Sequence, residues 1–500
     1  MRVTRRRFLA VGGLGVLLAA CGQAAAPTPA PTAKPAAAAP TTAPAAAAAA
    51  TSAPAAAATS APAAGAATKP AAAAGATTAP ASAPAAGAKS NVTIKAINHI
   101  GYGAEIDKTV FPPYYQIFQQ KTGITVEETI LPEDQQFPVK ILTMIAGNTA
   151  PDAVFIHPQW LASMASKGAL KEVDSYVKDP TVKFDDFWPG ALTYYQFPHG
   201  AKTYALPYYS GPSVWIFNRT LLKQANLPAP DELEKDGKWT WEGMRDLAVK
   251  ATKGDGANKI FGSDTYNSGL HWLDTLIWAW GGDVFDKDLK HTLLGEDKAV
   301  QALQFLADMH YKDHAVPEAA DQQGITGGKS GRIISGRVVM KFGIKGDVPE
   351  IADWSQQRNV EIGMAPMPKG TAGRFVRNGP NSFCIMKPSK YQDEVFKLIN
   401  DMTLDDFQNI QYKVGASIPT RKSQMDSDAF KKSLQPWESA QLWTQAAQDD
   451  KALPMAATHI DIQNTFTAAW DDIRLGKKPA KDAIAAIVPK IDDLLAKAQT

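Results

Sequence analysis

The chain is 500 residues long, with 45% hydrophobic and 20% charged residues, a soluble composition at a length beyond one ordinary core, so two globular units or one with appendages are expected. Of its 52 Lys and Arg, seven fall in the first 90 residues, which hold no acid, so 45 face 50 Asp and Glu in the remainder. A mildly acidic body has no basic footprint for phosphate backbones, which excludes nucleic acid as an expected partner, and two cysteines, Cys21 and Cys384, exclude a disulfide scaffold.

Met1 to Arg7 is basic, Phe8 to Ala20 is apolar with Gly breaks, and Leu18-Ala19-Ala20-Cys21-Gly22 follows. A basic start, a short apolar run and small residues before a cut site describe an export signal over 1–21, too short for a membrane helix. Thr4-Arg5-Arg6-Arg7-Phe8-Leu9 resembles the twin-arginine export motif, and Leu18 to Cys21 resembles the bacterial lipobox. That resemblance implies cleavage before Cys21 and lipidation of its thiol, leaving Cys384 as a lone buried thiol. From 22 to 90 the chain is almost only Ala, Pro, Thr, Ser and Gly. Nothing there compensates the entropy of ordering, so a disordered tether is expected, holding the body away from a membrane. Beyond the N-terminus no apolar run reaches the 18 residues of a span.

The body opens at Asn91 and alternates strand and helix. Val92 to Ile97 reads as a strand, Phe111 to Gln120 as a helix and Ile124 to Ile130 as a strand. Phe137, Ile141, Met144 and Ile145 recur at helical spacing, and Pro151 to Ile156 begins a third strand. This order predicts an α/β layer with a parallel sheet, on which ligands gather at the carboxyl ends of strands. Those ends hold Asn98, His99 and Tyr102, then His157, Gln159 and Trp160. Further strands are expected at Val214–Phe217, Gly336–Phe342, Val360–Ala365 and Asn381–Met386. Helices are expected at Trp239–Thr252, Leu270–Trp280, Lys298–Tyr311 and along the stripe Ile484 to Leu495.

Motifs for covalent or metal chemistry are mostly absent. Gly328-Lys329-Ser330 lacks the first Gly of a phosphate loop. Gly211-Pro212-Ser213 begins like a nucleophile elbow without its final Gly. His310 and His314 sit one helical turn apart with no clear third ligand. No enzyme, metal or cofactor is therefore expected. Aromatic residues are plentiful, at 12 Trp, 13 Tyr and 19 Phe, and Tyr and Trp pair an apolar face with a polar edge, as a sugar does.

Ten stretches in order resemble the family 1 extracellular solute-binding proteins of bacterial ABC importers. They include Lys121-Thr122-Gly123-Ile124, Ala146 to Asp152, Thr203-Tyr204-Ala205-Leu206-Pro207 and Phe217-Asn218-Arg219. Trp239-Thr240-Trp241-Glu242, Trp280-Gly281-Gly282, Ser335 to Met340, Met364 to Gly370 and Ile418-Pro419-Thr420-Arg421 continue the series. The resemblance implies a two-lobed periplasmic-binding-protein fold of class II, with three interlobe crossings and a ligand cleft between the lobes. The crossings fall near Leu206-Pro207, Gly379 to Asn381 and Ser417 to Pro419. Lobe one is then 91–207 with 381–417, and lobe two 208–380 with 418–500.

The resemblance further implies an extracytoplasmic, lipid-anchored receptor, expected as a monomer, that delivers a sugar or oligosaccharide to separate permease and ATPase subunits. Other readings are a receptor for a sugar phosphate or polyol, and a secreted carbohydrate-active enzyme. Carried onto this chain, the ligand contacts are His99, Tyr102, His157, Trp160, Tyr208, Tyr209, Ser210, His271, Trp272 and Asn381. Where many relatives have Gly-x-Trp, this chain has Gly343-Ile344-Lys345. Lys345 then either meets an anionic group or sits on the surface, and the surface is the expected place.

Overall fold

The computed structural model describes residues 91–499 apart from 100–103, 132–136, 266–268, 319–320 and 322–330, and at 104–107 and 271 the backbone alone. The expected signal with Cys21, the tether, Tyr102 and the Gly-Lys-Ser stretch lie outside the described residues, as does the His271 side chain. Strands β1 (Thr93–His99), β2 (Thr125–Leu131), β3 (Ala153–Ile156), β4 (Val214–Asn218), β5 (Phe261–Asp264), β6 (Val338–Gly343), β7 (Ile362–Ala365) and β8 (Ser382–Ile385) form two four-stranded sheets.

Sheet one has the order β2-β1-β3-β8, with β1 parallel to β2 and β3, and β8 antiparallel to β3. Helices Ala104–Thr122 and Phe137–Ala146 make its crossovers, because parallel neighbours cannot be joined by a tight turn. Side chains alternate between the faces: Ala96, Phe155 and Phe383 enter one core with Tyr114 and Phe407. Ile97, Val154, Ile156 and Cys384 enter the other with Phe137 and Trp160, as a period of two requires. Cys384 is fully buried, and burial pushes its thiol well up.

Sheet two has the order β5-β6-β4-β7, with β5 and β6 parallel and β4 antiparallel to both its neighbours. Its core takes in helices Trp241–Ala251, Leu270–Ala279 and Asp297–Tyr311 and the last two, His459–Arg474 and Ala480–Ala498. No helix among the described residues is long and apolar enough to cross a membrane.

The chain passes between the sheets three times: after Leu206 toward β4, back between β7 and β8, and out again after helix Asp405–Val414. The passages are hydrogen-bonded to one another. Tyr208 N–H donates to Asn381 O at 3.0 Å, Ile418 N–H to Ser210 O at 2.9 Å and Ser213 N–H to Arg377 O at 2.8 Å. Asn378 completes the knot, its Oδ1 accepting from Gly211 N–H at 2.9 Å and its Nδ2 donating to Ser210 Oγ at 2.9 Å. Gly211 is needed there because a Cβ would lie 2.5 Å from the Tyr209 hydroxyl. Asn381 and Met386 are spent on isolated bridges to Tyr209 and Leu170, which trims the expected strand 381–386 to β8.

Candidate functional site

Sheet one presents its site residues where β1 and β3 end. Asn98 turns back to Glu128 on β2, donating to Oε1 at 2.9 Å, and accepts His99 N–H at 2.9 Å. Burial raises the Glu128 carboxyl, against hydrogen bonds from Tyr115 and Asn98 that lower it. After β3, His157 caps helix Pro158–Ser166, with Pro158 in its first turn, where a missing N–H costs nothing. This local geometry aims the helix's first turn back at β1. The His99 ring lies 4.6 Å from His157 and 6.0 Å from Trp160, and 4.0 Å edge-on from Phe155.

Three of the expected contacts, His99, His157 and Trp160, are thus one cluster. Trp160 is 1% exposed, and Phe137 stacks on its ring at 4.8 Å. The fold has already taken a stacking face of that ring, and its indole N–H has no partner. Tyr208, Tyr209, Ser210 and Asn381 are brought together on the crossings, all buried. Tyr208 packs among Phe111, Phe383 and Phe407, and its carbonyl accepts from Gln408 and Gln411.

Sheet two supplies Trp272, half-buried and edge-on to Phe342 at 5.3 Å. Behind it lies a cavity of about 20 Å³ lined also by Trp215, Trp241 and Thr265, the room of roughly one water. The two sides are joined through Arg377 on the second crossing, whose guanidinium lies 5.0 Å from the Trp272 ring and 5.7 Å from the Tyr194 ring. Tyr195 adds a second joint, its hydroxyl proton shared between Ile156 O at 3.0 Å and Pro380 O at 3.1 Å.

Lys345 is not on the surface. Its side chain is fully buried and its Nζ lies 2.5 Å from Glu438 Oε1, also fully buried. Gln435 N–H and Trp443 Nε1–H complete the Glu438 carboxylate. Burial lowers the Lys345 ammonium's pKa, and Glu438 opposes that. The expectation failed because a Gly-Ile-Lys-Gly run reads as a polar turn, whereas the partner that buries it lies 93 positions away.

His310 Nδ1 is 2.6 Å from Glu318 Oε1, while His314 stands in a left-handed turn at φ 50°. Among the described residues no group of three His, Cys, Asp or Glu is placed to hold a metal ion. Ser213 is fully buried, its Oγ accepting Arg377 N–H at 3.0 Å, a bond that holds a crossing together.

Arg377, Asp274, Tyr194 and Asp450 are not among the residues expected from the sequence. One signal was present: Asp274 is the only charge in the apolar stretch His271 to Trp280. A lone acid in such a helix points to a buried partner.

No curated protein matches the chain. Among solved structures, an ABC substrate-binding protein from Listeria monocytogenes in complex with cycloalternan is similar at 18% identity and a TM-score of 0.68, over 82% of this chain and 99% of that one. Maltose-bound MalE3 from T. maritima is similar at 20% identity and a TM-score of 0.64, over 81% and 100%. UgpB from Mycobacterium tuberculosis in complex with glycerophosphocholine is similar at 18% identity and 0.67, over 82% and 99%. At these identities the likeness establishes the two-lobed fold. The model of the bacterial extracellular solute-binding protein family matches residues 103–409, more than half of the chain, and with two sheets joined by three crossings, the chain belongs to that family.

Proposed function

We propose that this chain is the receptor of an ABC importer, holding a sugar or oligosaccharide between its lobes and delivering it to separate permease and ATPase subunits. The observation that carries the reading is the clustering of His99, His157 and Trp160 at the ends of β1 and β3, with Trp272 and Phe342 on the other side of the crossings. Imidazoles donate and accept, and aromatic rings take the C–H face of a sugar. His99, Tyr102, His157, His271 and Trp272 then meet the solute, with Trp160 offering its indole N–H. Tyr208, Tyr209, Ser210 and Asn381 act by holding the hinge.

The sugar-bound relatives support carbohydrate. So does the pairing of Lys345 with Glu438, which removes the one cation that the family motif offered to an anionic solute. We divide the lobes at 91–207 with 381–417, and 208–380 with 418–500, and assign closure to rotation about the crossings, as in other periplasmic binding proteins. The N-terminal motifs support twin-arginine export and anchoring through lipidated Cys21. The reading is of a binder, which the family's description as solute-binding supports.

A thermal-shift panel of maltose, maltotetraose, polyols and glycerophosphocholine tests this. A carbohydrate at about a hundredfold over Kd stabilises by about 2.7 kcal/mol. A shift with glycerophosphocholine alone transfers the assignment to phosphate esters, and no shift with any of them removes it.

A further inference from the structure

The second crossing carries one arginine into a sealed seam. Arg377 is 5% exposed and donates through Nη1 to Asp274 Oδ2 at 3.3 Å. The two rings that flank it come from different cores: Tyr194 from one on sheet one, Trp272 from the one on sheet two. Asp450, between helices Ala440–Gln448 and His459–Arg474, closes the seam. The Tyr194 hydroxyl lies 3.4 Å from its Oδ1 and 3.3 Å from Lys451 O, one proton shared between two acceptors. Gly190 backs the carboxyl so closely that a Cβ there would fall 2.7 Å from Cγ. Although the residue is half-buried as a whole, its Oδ2 is sealed from solvent, and Asn378 on the same crossing is the hydrogen-bonding group that favours its charged form. Val376 and Asp450 form an isolated backbone bridge, which fastens the main chain that carries this carboxyl to the crossing.

The groups facing the seam do not balance. Lys451 is turned outward to Asp283 at 3.2 Å, both of them 39% exposed. His459, at the start of its helix, is 1% exposed with neither ring nitrogen partnered, and burial pushes it down to about 4, so it is neutral. Two carboxyls, Asp274 and Asp450, are left to one guanidinium. A sealed carboxylate binds a proton in preference to carrying its charge when burial outweighs its partners, as it does here against Asn378, Arg377 and Tyr194.

We propose that this seam is a proton-linked latch between the lobes: Asp450 holds a proton while Tyr194, Gly190 and the second crossing close over it, and releases it when the seam opens to water. Acid therefore favours the closed arrangement and rising pH loosens it. Burial pushes both Asp450 and Asp274 up to about 7, against an ordinary value near 4 in an open seam. For each such proton the closed-to-open ratio falls by at most about tenfold per pH unit between those values, and is flat above. The latch does not depend on the identity of the solute.

Val139, 54% exposed on helix Phe137–Ala146, and Val249, 43% exposed on helix Trp241–Ala251, are suited to spin labels. Val139→Cys and Val249→Cys in a Cys21→Ser background leave Cys384 as the other thiol, and it is fully buried. Electron–electron distance measurements on the solute-free chain at about pH 5 and about pH 7.5 should show the long-distance share growing at the higher pH, the short-to-long ratio moving about tenfold or more. Asp450→Asn, which mimics the protonated acid, should lose the share of that shift that Asp450 carries, leaving at most the Asp274 share. Identical wild-type distributions overturn the latch whether or not Asp450→Asn folds, and so does an Asp450→Asn chain that responds like wild type.

Discussion

The two sides of the cleft are assembled in different ways. On sheet one, His157 and Trp160 stand in one helical turn and meet His99 from the neighbouring strand. Their contacts are ring against ring, with few charges to neutralise. On sheet two and the crossings, the decisive contacts are ion pairs between distant positions, Arg377 with Asp274 at a separation of 103 and Lys345 with Glu438 at 93. Aromatic packing gains from any close apolar neighbour. A buried ion pair is tolerable only when both partners arrive in the right place.

That contrast predicts where substitutions hurt most. Glu438→Ala strands a fully buried ammonium, and urea unfolding should show a loss of about 3–5 kcal/mol, largely recovered by adding Lys345→Met. A loss that the second change does not relieve breaks the ion-pair account of sheet two.

Trp160→Ala removes a ring stacked on Phe137 in the core and should cost about 3 kcal/mol of stability. If the chain keeps its stability and loses only solute binding, the ring belongs to the solute and not to the core, and the ring-packing picture of sheet one fails.

Asp274→Asn sharpens the comparison through pH. Burial, opposed by Arg377, pushes the folded carboxyl up to about 7, above an unfolded value near 4. The stability from this group is therefore complete below about pH 4 and is lost as pH rises through about 7, with a slope of up to about 1.4 kcal/mol per unit. The variant should flatten the stability profile over that window. An unchanged profile means the carboxyl is not desolvated. The smallest effect is expected at Lys202→Ala: its pair with Glu172 at 2.6 Å is exposed on both sides, solvent and salt screen it, and the melting temperature should not move.

Much of the molecule was legible before it folded. The run from β1 to β3, with its two crossover helices, follows from a period of two giving way to one near 3.6. The expected places of the three crossings coincide with the hydrogen-bonded passages. Gly336–Phe342 was expected two residues early, because Gly336 stands at φ 72° and ends the turn before β6. Helix His459–Arg474 is not among the expected helices, yet its first residue is one of the buried groups beside Arg377.

Composition and periodicity by themselves determined the acidic body, the alternating elements and the aromatic strand ends, since each depends on neighbours a few positions apart. Burial and partnership were decided only by the tertiary structure. A face of Trp160 went to Phe137, Lys345 went to Glu438, and two acids were gathered around Arg377. The reason is physical: the free energy of a buried charge or ring depends on what surrounds it, and here those surroundings come from segments as much as 256 positions apart, as Tyr194 and Asp450 are.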